Sequence, residues 1–244
     1  MRFDVITIFP EMFTALTQSG ITRRACKSGL VSCNTWQLRD YTTNAYRKVD
    51  DKPYGGGAGM VMKPEPIEKA IQDVQQHQKS IFKNKGICIY PNASGSRVTA
   101  KDIKRWRSAS SLTFLCGRYE GVDQRVIDLY VDEIVSVGDI VVSGGELPAM
   151  ILMDAIIRTL PGAISFQSHD EESFMNCISA NADLVEEDNT MQLLEYPQYT
   201  RPEIFAGVKV PKVLLSGNHS EIKKWRAEMA YKLTNKNRPE LLIQ

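Results

Sequence analysis

No apolar run in the 244 residues approaches the roughly 20 needed to cross a bilayer, so no membrane-spanning helix is expected. The opening segment MRFDVITIFPEMF has too short an apolar stretch and too early an acid for a signal peptide, and reads as a strand. Cysteine is sparse: Cys26, Cys33, Cys88, Cys116 and Cys177 are odd in number and lack CxxC spacing. That pattern argues against zinc and against a disulfide framework, and it suits reduced thiols in a cytoplasm. The three histidines, His77, His169 and His219, stand apart and suggest no metal site. A GxGxxG after the first strand is missing, with Pro10 in its place, and there is no Walker motif, repeat or low-complexity tract. An ordinary dinucleotide fold is thereby disfavoured.

Net charge is also low, at +1, but it is unevenly spread. Residues 1–164 carry 21 Lys and Arg against 17 Asp and Glu, residues 165–197 carry none against 8, and residues 198–244 carry 9 against 4. Two mildly basic parts therefore flank an acidic one, an arrangement compatible with a polyanionic partner and equally with solvated faces.

What is present is alternation of strand and helix. Strands are predicted at Phe3–Phe9, Val31–Leu38, Lys85–Tyr90, Leu112–Cys116 and Asp132–Val137. Helices are predicted at Glu11–Ser19, Thr22–Ser28, Pro64–Gln76, Thr99–Arg107, Asp123–Tyr130 and Glu146–Leu160, with Gly20 stopping the first and Thr99 capping the fourth. This order predicts an α/β domain with a largely parallel sheet, over residues 1–164. Ligands of such sheets sit beyond the carboxyl ends of the strands. Three such ends carry small residues, Pro91–Gly95, Gly117–Gly121 and Gly138–Gly145, and these can converge on one pocket. Asp40–Met60 reads as a long polar, Gly-rich loop of the kind that is functional or disordered. Residues 165–197 read as an acidic interdomain linker. Residues 198–244 read as a small, basic, mostly helical domain, with a helix at Ser216–Asn235 capped by Asn218 or Ser220 and a short one at Pro239–Ile243.

The stretch Ser136–Met150, SVGDIVVSGGELPAM, is the centre of the pattern. A strand ends at Gly138, the Gly144–Gly145 pair lets backbone come close to another group, and a helix opens at Glu146 with Pro148 in its first turn. Glu146 there suits the positive end of the helix dipole. By itself the glycine pair is better explained by a tight turn with no ligand. Together with FLCGRYEG at Phe114–Gly121, DDKPYGGGAGM at Asp50–Met60, FPEMF at Phe9–Phe13, YTRPE at Tyr199–Glu203 and VLLSGNHSEIKKWR at Val213–Arg226, it closely resembles the tRNA (guanine-N(1)-)-methyltransferase family of the SPOUT superfamily, over nearly the whole chain.

The resemblance implies a deep trefoil knot in the sheet domain, S-adenosylmethionine as methyl donor, a cytoplasmic homodimer, and methyl transfer to ring nitrogen 1 of the guanine at position 37 of tRNA. It carries over Gly117 and the run Val137, Gly138, Asp139, Ile140, Val141 and Val142 as backbone contacts to the donor. Tyr90, Tyr119, Glu120, Ser136, Gly144, Gly145, Leu147 and Pro148 match positions lining the same pocket. Without the family, an ion pair from Glu120 to Arg118 or Arg125 reads as well. For catalysis, Arg158 matches an arginine that stabilises charge at the guanine oxygen, and Glu172 stands where the family has the aspartate that accepts the ring proton. Asp170, two residues earlier, is the alternative base. Glu172 is one methylene longer than Asp, a departure that admits a binding homologue with weakened catalysis. Another departure is the Asn92-Ala93-Ser94-Gly95 turn, and a third is the long Met175–Glu195 segment. Arg23, Arg24, Asp50–Met60, Lys223, Lys224 and Arg226 are the candidate RNA contacts, and a SPOUT enzyme with another RNA target is the nearest alternative.

Overall fold

Alternation along the first strand sets up two buried faces. In the computed structural model, β1 (Arg2–Thr7) is buried at every position. Phe3 and Val5 join one apolar cluster, and Ile6 joins another on the opposite side. β1 pairs in parallel with β2 (Ser32–Gln37) and with β6 (Ser111–Leu115), Arg2 standing opposite both Ser32 and Ser111. β6 pairs with β5 (Ile87–Arg97), and β5 with β7 (Glu133–Ser136), again in parallel. The sheet thus has five strands in the order β2-β1-β6-β5-β7. The parallel α/β architecture expected from the sequence is the observed one. The structure describes residues 1–164, 173–174 and 192–242, in two units, Met1–Ile164 and Ser165–Gln244.

Helices α1 (Thr14–Thr17), α2 (Gly20–Lys27), α4 (Ala100–Arg107) and α6 (Glu146–Thr159) supply one cluster with Leu16, Ala25, Trp106 and Leu152. Helices α3 (Pro64–Phe82) and α5 (Gln124–Tyr130) supply the other with Ile67, Ile71, Val74 and Val126. Among the described residues no helix is long and apolar enough to cross a membrane.

The core holds one carboxylate that the hydrophobic pattern does not explain. Asp4 is fully buried. It accepts two bonds from Arg2 at 2.8 and 2.7 Å, one from Trp36 Nε1 at 2.9 Å and one from Gln78 Nε2 at 2.9 Å. Gln78 also donates to Thr113 Oγ1 at 2.9 Å and accepts from the Gly86 backbone at 2.7 Å. A charge so enclosed is tolerated because its lone pairs are satisfied by a bidentate guanidinium and neutral donors.

Several expectations are corrected. The predicted helix Glu11–Ser19 is a 3-10 turn, Pro10–Phe13, followed by the single turn α1. Gly20 does not simply stop it; at φ +60° it opens α2. Asp40–Met60 is not all loop, because β3 (Asp50–Asp51) pairs antiparallel with β4 (Val61–Met62) at its far end. The turn Pro91–Gly95 is not a strand end: β5 runs on to Arg97 through a bulge between Pro91 and Ser96, then pairs again with β7. The bulge is closed by Asn92 Oδ1, which accepts from the Ser94 backbone at 2.9 Å. Gly95 is needed there, since a Cβ would come 2.3 Å from the Val135 nitrogen. Thr99 does cap α4, in a capping box with Asp102. Cys26 and Cys33, which look unrelated in sequence, bring their Sγ atoms to 3.9 Å.

In the second unit, β8 (Ile204–Phe205) and β9 (Val208–Lys209) form a hairpin, and α7 (Lys212–Leu215) precedes α8 (His219–Asn237). Asn218 is the cap of α8, accepting from Ser220 and Glu221 backbones at 3.2 and 3.3 Å. The predicted Pro239–Ile243 helix is a 3-10 turn, Pro239–Leu241. Ser173–Phe174 is held to Leu193–Glu195, through Phe174 N–H to the Leu193 carbonyl at 3.0 Å and Glu195 N–H to Ser173 Oγ at 2.9 Å.

Removing the Asp4 carboxylate leaves the nearly buried Arg2 guanidinium without its partner. Asp4→Ala is expected to cost about 3–5 kcal/mol, a fall in Tm of roughly 10 °C for a chain of this size. Scanning calorimetry checks this, and a shift under about 3 °C contradicts it.

Candidate functional site

A cleft of about 300 Å³ lies at the carboxyl ends of β6 and β7, beside the bulge in the middle of β5. Two glycine turns form its walls. The first follows β6, and Gly117 there lies so close to Tyr90 that a Cβ would meet the ring and hydroxyl at 2.8 Å. Burial pushes the Tyr90 phenol above its usual pKa, and Asn92 Nδ2 donates to its oxygen at 3.0 Å. Tyr119, exposed at the tip of this turn, has φ +60°. The turn is stitched to the Gly-rich segment before α3: Glu120 N–H bonds the Met60 carbonyl at 2.9 Å, and Met62 N–H bonds the Gly121 carbonyl at 2.9 Å.

The second turn follows β7. Ser136 Oγ donates to the Gly138 carbonyl at 2.8 Å, and Ile140 N–H reaches the same carbonyl at 2.8 Å. The chain returns through Gly144 and Gly145 into α6. Gly145 N–H bonds the Gly117 carbonyl at 2.9 Å, so the two turns are directly joined. A Cβ on Gly145 would stand 2.9 Å from Cys116 Cα and 3.0 Å from the Gly117 nitrogen.

One guanidinium binds this frame together. Arg118 Nε donates to Glu146 Oε2 at 2.8 Å, and Nη1 to the Ser143 carbonyl at 3.1 Å. Glu146 is fully buried, and its other oxygen accepts from Thr7 Oγ1 at 2.7 Å. The carboxylate that the sequence assigns to the helix dipole is thus the buried partner of Arg118. Neither sequence-level partner of Glu120 is taken in that way: Arg118 pairs with Glu146, and Arg125 pairs with Asp123 at 2.7 Å. Glu120 instead lies over Gly59, where a Cβ would come 2.1 Å from its Oε1.

Of the residues expected at the methyl donor, Tyr90, Gly117, Tyr119, Glu120, Ser136, Val137, Ile140, Val141, Val142, Gly144, Gly145 and Pro148 line the cleft. Gly138, Asp139 and Leu147 do not. Gly138 takes φ +154° to turn the chain, and the Asp139 carboxylate pairs with Arg97 at 2.7 Å. Leu147 falls on the exposed side of α6. Sequence reasoning missed Arg118 as a wall of the cleft, although an arginine set inside the Gly117–Gly121 turn was a signal for it. Arg158 lies in the last turn of α6, twelve residues beyond Glu146. At 1.5 Å per residue that is about 18 Å along the axis from the cleft's end of the helix. Glu172 and Asp170 lie outside the described residues.

The cleft suits S-adenosylmethionine by its chemistry. Apolar walls from Val137, Ile140, Val142 and Pro148 suit the adenine ring, and the glycines at 117, 144 and 145 let Tyr90, the Arg118 arm and the Cys116–Gly117 backbone pack directly against the turns that shape the cleft. Among the described residues no group of three or more His, Cys, Asp or Glu is placed to hold a metal ion.

Fold and site define an α/β protein with an open cleft, walled by glycine turns, where parallel strands end. Comparison with known proteins narrows this. All of residues 1–244 match the family described as "tRNA (Guanine-1)-methyltransferase TrmD". A tRNA (guanine-N(1)-)-methyltransferase of Aromatoleum aromaticum is 50% identical over 242 residues, 99% of this chain and 86% of the relative. Proteins of the same description from Herminiimonas arsenicoxydans and Pseudomonas putida are 47% and 46% identical, covering 100% and 99% of this chain and 93% and 90% of theirs. The chain belongs to this methyltransferase family.

Gly145→Ala forces the two turns apart, because the new methyl meets backbone rather than a movable side chain. Affinity for S-adenosylmethionine is expected to fall about tenfold, the equivalent of one lost hydrogen bond to the shifted backbone. Calorimetric titration of the folded variant measures it; affinity equal to wild type would remove the cleft from consideration as the donor site.

Proposed function

We propose that the protein methylates ring nitrogen 1 of the guanine at position 37 of tRNA, with S-adenosylmethionine held in the cleft between the Gly117–Gly121 and Gly138–Gly145 turns. The whole-chain family match carries this reading, and the backbone-lined cleft supports it. The donor supplies a methyl group on a positively charged sulfur. The protein has three tasks: to align the ring nitrogen with that methyl, to accept the proton the nitrogen loses, and to stabilise negative charge on the adjacent oxygen. We assign proton acceptance to Glu172, with Asp170 as the alternative, and charge stabilisation to Arg158. Residues 1–164 hold the donor. Residues 165–197 are assigned the role of linker bearing the base, and the basic residues 198–244, with Lys223, Lys224 and Arg226, bind tRNA phosphates. Arg23, Arg24 and the Asp50–Met60 segment, with its exposed Tyr54, are assigned to the RNA near the target base. The knotted threading and a cytoplasmic location belong to the same reading.

The working form is a homodimer in this proposal. In one copy Arg158 is about 18 Å along α6 from the end that borders the cleft, so completing a site from a second copy reconciles their roles. α6 also presents Leu147 and Ile151 to solvent one turn apart, beside exposed Ile140 and Val141. Ile151→Asp is expected to yield a folded monomer with methyl transfer reduced at least a hundredfold; sedimentation showing an unchanged oligomer, or a fully active monomer, would contradict it.

Transfer of labelled methyl is expected to a tRNA transcript with guanine at 37 and guanine at 36, mapped to ring nitrogen 1, and not to a transcript with adenine at 37. Arg158→Ala and Glu172→Ala should each abolish it while leaving donor binding within a few fold. The substitution of Glu172 for the family's aspartate favours one second reading, a tRNA-binding homologue with weakened catalysis. In that case the wild type is nearly inactive and Glu172→Asp raises its rate by about a hundredfold.

A further inference from the structure

We propose that Arg118 is a positioning residue for the methyl donor: its guanidinium sets the gap between the two glycine turns, and the Phe9–Met12 segment acts on donor affinity through it. This rests on the cleft being the donor site.

The contacts are specific to a fork. Nε takes Glu146 at 2.8 Å, Nη1 takes the Ser143 carbonyl at 3.1 Å, and Nη2 approaches Met12 Sδ at 3.4 Å. The guanidinium carbon stands 4.6 Å from the centre of the Phe9 ring. The residue's own backbone N–H meets Met62 Sδ at 3.1 Å. A Cβ on Gly144 would lie 2.2 Å from Nε, so the arginine arm runs directly against that turn. Glu146 closes a ring, because Thr7 Oγ1 donates to it at 2.7 Å and accepts from the Phe9 backbone at 2.9 Å.

Arg118 thus begins in one wall of the cleft and bonds the backbone of the other. The FPEMF segment lines no part of the cleft, yet it supplies the aromatic face and the sulfur against which the guanidinium rests. Lysine keeps the charge and can still meet Glu146, but one ammonium on a flexible stem cannot bond Glu146 and the Ser143 carbonyl from one rigid fork while laying a flat face on the Phe9 ring. An ion pair that only stabilised the fold would be replaced by Lys without effect on ligand affinity in the folded protein.

The test uses the full-length protein, S-adenosylmethionine titrated calorimetrically, and steady-state KM values for donor and tRNA. Arg118→Lys is expected to raise the donor Kd and KM about tenfold, with the tRNA KM changed less than twofold and the protein folded at the assay temperature. Phe9→Leu, which keeps apolar bulk and removes the ring face, is expected to raise the donor Kd several-fold, in line with a partly desolvated cation–π contact. Donor Kd within twofold of wild type in folded Arg118→Lys overturns the proposal while Gly145→Ala still loses binding. Should Arg118→Lys not fold, an unchanged donor Kd in Phe9→Leu overturns it equally. If wild type binds no donor, or Gly145→Ala binds it normally, it is the cleft assignment that falls.

Discussion

The ion pair between Arg118 and Glu146 sits where three separated parts of the chain meet: the end of β1, the turn after β6, and the turn after β7 with the helix α6 that it opens. Glu146 is completely enclosed, so its charge requires a counter-charge and filled lone pairs. Arg118 and Thr7 provide both. Because the guanidinium is planar and rigid, satisfying the carboxylate also fixes the direction of the arm against Gly144 and the Ser143 carbonyl. The ligand-facing surface is backbone, but the side chains behind it determine where that backbone stands.

A similar solution occurs away from the cleft. Asp4 is buried with Arg2, Trp36 and Gln78 around it, and Gln78 ties α3 to β6 and to the start of β5 through Thr113 and Gly86. Strands buried on both faces usually read as continuous apolar runs. Here two networks, one near each end of β1, add directional bonds that a purely apolar interior lacks. Hydrophobic clusters on the two faces supply the cohesion, and these polar contacts specify register and the placement of helices against the sheet.

Much of this was readable in sequence. The order of strands and helices, the caps at Thr99 and Asn218, and the two glycine turns at the cleft follow from local chemistry: spacing, capping and freedom from Cβ. What local chemistry could not show were relations between distant residues. Pro91–Gly95 looks like a loop because Pro, Asn and Gly favour turns, yet pairing with β7 carries the strand through it. Glu146 looks like a dipole residue because its partner Arg118 is 28 positions away. The proximity of Cys26 and Cys33 depends on how α2 returns to β2, which no cysteine spacing rule describes.

The placement of β1 also has a consequence for timing. Its neighbour on one side, β2, follows within about thirty residues, but the register on the other side matches Arg2 with Ser111. A ribosome adds roughly 5–20 residues per second, so a strand buried at every position waits on the order of 5–20 s for its second partner to be made. During that interval its apolar side chains have no finished sheet to enter. β1 therefore takes its place at the middle of the sheet only after β6 has emerged.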